Sequence, residues 1–148
     1  MLQTIDHLRQ IKQRCMAGEP LEAQQSEWLG DALAHFLDRR CTSMDDALGL
    51  RFGQGGMPWW REEANRLRDA ALREIAQTYM QGLTKSAQAR QIALLGLRYA
   101  ASAWRFDHTS EDMPAHYQST VKQPLWQAFR SGATMPIGER QLRNILVG

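Results

Sequence analysis

Apolar residues recur at spacings of three and four almost from end to end of this 148-residue chain, and no stretch alternates apolar with polar over several positions. Spacings of three and four stack side chains on one face of a 3.6-residue helix, whereas a strand with one wet face needs a period of two. Valine, a strong strand former, occurs only at Val121 and Val147. The chain is therefore expected to be all-α, with about six or seven helices packed as one domain over residues 1–148.

The helices can be laid out from their stripes and punctuation. Ile5, Leu8, Ile11 and Cys15 mark a first helix, with Thr4 as N-cap and Gly18 as its stop. Trp28, Leu29, Ala32, Leu33, Phe36 and Leu37 form the wide stripe of a second, from Leu21 to Arg39. Ser43 with Asp46, or Thr42 with Asp45, caps a short third. Pro58 suits the start of a fourth, running to about Met80, with Trp60, Ala64, Leu67, Ala71, Ile75 and Tyr79 expected inward. Glu62–Arg66 and Asp69–Arg73 read as pairs along its outer face. Thr84 or Ser86 opens a fifth helix to about Phe106, whose Ala89, Ala93 and Gly96 leave room for close helix approach, within the chain or in a homodimer. A sixth covers Pro124 to Ser131 and a last one Gly138 to Val147.

Several chemistries find no support. There is no G-x-S-x-G and no cysteine in a recognisable protease context. No C-x-x-C or H-x-x-x-H pair offers metal ligands, and no cofactor is expected. Two cysteines are too few for a disulfide framework. The glycines of Gly53-Gln54-Gly55-Gly56 lack both a preceding strand and the Walker lysine, so they read as a flexible connector rather than a phosphate cradle. No apolar run approaches the ~18–20 residues that cross a bilayer, and the N-terminal segment is not a secretory signal; a cytoplasmic protein is expected.

Charge is unevenly spread. The net charge is +2, yet residues 1–84 carry ten cations and twelve carboxylates, while residues 85–148 carry eight and four. Fifteen of the 18 cations are arginine, which binds phosphate and carboxylate bidentately. In the basic half, Leu125 to Gly132 followed by Ile137 to Leu146 outlines a helix-turn-helix unit. Ala128 and Gly132 stand where that motif places its alanine and turn glycine, and Leu142 and Ile145 anchor the second helix. Arg140, Gln141, Arg143 and Asn144 then face outward, the residue types that read base edges in the major groove. The turn is about one residue too long, and Pro136 and Gly138 fall where the second helix should begin. Arg130 adds a cation beside this unit, and a second hairpin, Ile75–Gly82–Ile92, presents Lys85 and Arg90. Trp59 and Arg61 form a separate candidate, an aromatic–arginine pair suited to a protein interface.

The segments Ala47–Arg51, Arg68–Glu74, Leu97–Arg105 and Arg140–Leu146 together resemble those of small arginine-rich helical proteins encoded in proteobacterial prophages and mobile elements. The likeness lies in core helix patterns over residues 44–146. It implies a genomic setting and a DNA-related role, and it supplies no site residue. The expectation is a non-enzymatic protein of a phage or mobile element that binds double-stranded DNA, as a regulator or packaging accessory. The alternative is a protein-interaction module, a small inhibitor or adaptor acting on a host protein.

Overall fold

The computed structural model describes residues 1–148 and contains helices and no strand. In chain order these are α1 (Leu2–Ala17), α2 (Ala23–Leu37), α3 (Met44–Ala47), α4 (Trp59–Tyr79), α5 (Lys85–Ala101), α6 (Trp104–Asp107), a 3₁₀ turn (Ala115–Tyr117), α7 (Lys122–Arg130) and α8 (Glu139–Val147). The chain resolves into two compact units, Met1–Trp60 and Arg61–Gly148.

In the first unit most helix ends follow the local chemistry, although α1 begins at Leu2 with no side-chain cap, so Thr4 lies inside the helix rather than capping it. Gly18 takes the left-handed conformation at φ 69°, and Glu19 N–H reaches back to the Arg14 carbonyl at 2.9 Å, closing α1. Arg14 also donates from Nη2 to Glu22 Oε1 at 2.7 Å, so one side chain ties the end of α1 to the start of α2. Glu22 and Gln25 form a capping box on α2, and Ser43 Oγ accepts from Asp46 N–H at 3.1 Å to start α3. Ile5, Ile11, Ala32 and Leu50 are buried, and the His7 and Trp28 rings meet edge-on at 4.8 Å between α1 and α2. The stripe on α2 is only partly covered: Leu37 is 72% exposed, and Leu33 and Phe36 are also open to solvent. Cys15, expected among the inward positions of α1, is an exposed free thiol.

The second unit holds the larger core, in which Leu72, Ile75, Ala76, Ala89, Ile92, Tyr99, Leu125, Ala128 and Leu142 pack together. Here α4 keeps part of the expected face, with Ala71 and Ile75 buried, and is turned from it toward Arg68, Leu72 and Ala76. Arg68, Ala71, Leu72, Ile75 and Ala76 face inward, while Leu67 and Tyr79 lie outward. Arg68 can be buried because each nitrogen of its guanidinium meets an acceptor: Nε and Nη2 bond Asp69 Oδ1 at 2.8 and 2.7 Å, and Nη1 donates to the Thr134 carbonyl at 2.7 Å. Asp69 thus pairs with Arg68 rather than with Arg73, whose Nε instead donates to the Ile145 carbonyl at 2.9 Å, near the end of α8. A cation there meets the negative end of the helix dipole.

Thr84 caps α5 by accepting from Ala87 N–H at 3.2 Å, but the helix stops at Ala101 rather than continuing to Phe106. Ser102 leaves the helical region at φ −122°, ψ −98°, and α6 restarts two residues later. The break brings Asp107 under the aromatic cluster. Tyr99 and Tyr117 both donate to Asp107 Oδ2 at 2.7 Å, and the Phe129 ring lies 5.0 Å from Tyr99 and 5.4 Å from Trp104.

Loss of the shared acceptor leaves two phenols unpaired, so Asp107→Ala is expected to cost about 2–3 kcal/mol in urea unfolding. Both phenols are pushed above the ordinary tyrosine value, first by burial and then by their hydrogen bonds to Asp107. The folded chain therefore keeps protons that the unfolded chain releases above about pH 10, and stability must fall as pH rises past that point. Urea midpoints from pH 8 to 11 should decline more steeply for the native sequence than for the Tyr99→Phe, Tyr117→Phe double variant; equal slopes would refute the assignment.

Candidate nucleic-acid interface

A nine-residue helix is too short to persist alone in water, so packing must hold α8 in place. It lies along α5, burying Leu142, Ile145 and Leu146. At 100° per residue those three positions cover one arc of the helix, and Arg140, Gln141, Arg143 and Asn144 span an opposite arc of roughly 160°. All four are exposed, as the sequence pattern required.

The packing also joins two candidates that are far apart in sequence. Arg143 Nη1 donates to Ser86 Oγ at 3.4 Å, which sets α8 beside the first turn of α5. Lys85 precedes Ser86, and Arg90 follows it by one helical turn on the same face. Lys85, Arg90, Arg140 and Arg143 are all exposed. Glu139 is the one carboxylate carried by either helix.

Ion pairing separates this surface from the rest of the chain. Arg9–Asp6, Arg14–Glu22, Arg40–Asp38, Arg51–Asp46 and Arg68–Asp69 all lie before residue 70. None of Lys85, Arg90, Arg140 and Arg143 forms such a pair. Four uncompensated cations beside Gln141 and Asn144 can bind a polyanion backbone while offering amides to base edges. Ser86 carried no signal in the sequence beyond its capping position; its role depends on a contact 57 residues away.

The connection from α7 to α8 runs through eight residues, Ser131–Gly138, longer than a three- to four-residue helix-turn-helix turn. Ala128 is fully buried and Gly132 takes φ 81°, as their positions suggested, but the helix alongside α8 is α5. Arg130 stands apart from the other basic candidates. With Leu67, Ala70, Glu74 and Trp126 it lines a cleft of about 440 Å³ between α4 and α7.

The core placement of Trp60 is corrected. Trp60, expected in the core, is 57% exposed, and Trp59 is half-buried. Trp60 meets Trp59 and Phe52 edge-on, at 5.9 and 6.4 Å between ring centres. Arg61 is exposed.

No protein family, curated protein or solved structure matches the chain.

Of the five tryptophans, Trp60 alone falls in the exposed class. Trp60→Phe should therefore remove more iodide-quenchable fluorescence than any other single Trp→Phe change. A larger loss at Trp59 would contradict the exposure of Trp60.

Proposed function

We propose that the chain is a non-enzymatic protein that binds double-stranded DNA through the joint surface of α8 and the first turns of α5. The observation that carries this reading is the Arg143–Ser86 contact, which sets α8 beside the first turn of α5, with Lys85, Arg90, Arg140 and Arg143 exposed on the two helices and none of them paired with a carboxylate. In this arrangement the cations neutralise phosphates and set the register, while Gln141 and Asn144 meet base edges. The helix that enters the groove is α8, supported from behind by α5. A regulator or packaging accessory of a phage or mobile element is the biological setting we propose, on the strength of the sequence resemblance.

One observation favours a second reading, a protein-interaction module. Trp60 with Phe52 offers an exposed aromatic pair of the kind that anchors protein interfaces. Binding of a protein partner that survives nuclease treatment and is lost in Trp60→Ala would support that reading over the first.

The DNA reading makes a quantitative demand. Four phosphate contacts release counterions such that log K falls against log salt with a slope of about −3.6. Mobility shifts or fluorescence anisotropy with a long duplex should show that slope. Each of Lys85→Ala, Arg90→Ala, Arg140→Ala and Arg143→Ala should reduce it by about one. Gln141→Ala and Asn144→Ala should leave the slope and change sequence preference. A salt-independent response, or no binding at low salt, would refute the proposal.

A further inference from the structure

The cleft between α4 and α7 is a second surface, independent of the basic one. Its floor is apolar, with Leu67, Ala70 and Ala71 from α4 and Trp126 from α7. Leu67 is 55% exposed, so a large aliphatic side chain stands in water at the edge of an apolar cleft of about 440 Å³. Covering the cleft would take that apolar surface out of water.

The charges of the cleft indicate what covers it. Glu74 lines it from α4 and Arg130 from α7, and neither has an ion-pair partner within the chain. A patch holding one free acid, one free base and one protruding apolar residue beside its own cleft is complementary to itself. A two-fold axis makes use of such a patch, because each residue then meets its counterpart's partner twice. Leu67 and Glu74 are seven residues apart and share a helix face, with the small, exposed Ala70 midway between them. Two α4 helices crossing antiparallel near Ala70 therefore approach closely and bring Leu67 of one to the cleft of the other.

We propose that this cleft is the contact surface of a homodimer, in which Leu67 of each copy enters the cleft of the other and Glu74 faces the partner's Arg130. The occupant is a second copy of this chain, because a patch with one free acid and one free base is matched in charge by a copy of itself. The surface is separate from the Lys85–Arg143 cations, so failure of DNA binding leaves this inference standing, and the reverse also holds.

Sedimentation equilibrium on the full chain tests it, with circular dichroism to establish that each variant keeps its helices. The native sequence should dimerise reversibly. Leu67→Asp should be monomeric, and E74R or R130E alone should weaken association about tenfold or more, since each sets two like-charge contacts across the axis. The deciding arm mixes the two charge variants: E74R carries arginine at both positions and R130E glutamate at both. At a concentration where each variant alone is largely monomeric, the mixture should form a heterodimer. A native chain that is monomeric at every concentration would overturn the proposal. So would a dimer indifferent to Leu67, or a mixture of E74R and R130E that fails to associate.

Discussion

The seating of α8 on α5 is the constraint on which the C-terminal unit and its proposed function depend. Nine residues cannot hold a helix by backbone hydrogen bonds alone, so α8 exists because Leu142, Ile145 and Leu146 are buried. Burying those three leaves Arg140, Gln141, Arg143 and Asn144 no place but the surface. The same packing fixes where that surface lies, beside Lys85 and Arg90 at the start of α5. Core packing and the display of the basic face are thus one physical event.

Polar side chains complete what the short helices leave open. Helix ends carry backbone carbonyls without partners, and distant side chains satisfy several of them. Arg73 bonds the Ile145 carbonyl, and Gln88 Nε2 bonds the Met80 carbonyl at 3.0 Å, joining α5 to the end of α4. Arg68 fastens α4 to the α7–α8 connection through Thr134. The arginines of this chain consequently divide by role. Those of α4 at positions 68 and 73 are structural fasteners, and those of α5 and α8 at positions 90, 140 and 143 remain uncompensated.

Much of the local structure was legible from the residues themselves. Gly18, Ser43 and Thr84 end or begin helices as their chemistry dictates, and the inward set on α8 follows from spacing alone. The phase of α4 was legible only in part: Ala71 and Ile75 are buried as their spacing suggested, while tertiary hydrogen bonds bring Arg68 inward in place of Leu67. Trp60 and Leu67 are hydrophobic but exposed, whereas Arg68 is charged but buried behind Asp69 and Thr134. The break at Ser102 was hidden within an unbroken helical pattern, and it serves to place Asp107 between two tyrosines. For the candidate interface, exposure of each α8 residue was readable. Its union with Lys85 and Arg90 was not, since it rests on one long-range helix pairing.

The central claim is that a single surface, built from α8 and the start of α5, receives duplex DNA. Titrating a short duplex into isotopically labelled protein and following backbone amide shifts by NMR tests it most directly. The account predicts that residues 85–90 and 139–144 shift together, at one saturation point, while α1 to α3 stay still. Shifts centred on Trp60 or on the α4–α7 cleft, with α8 unmoved, would contradict it.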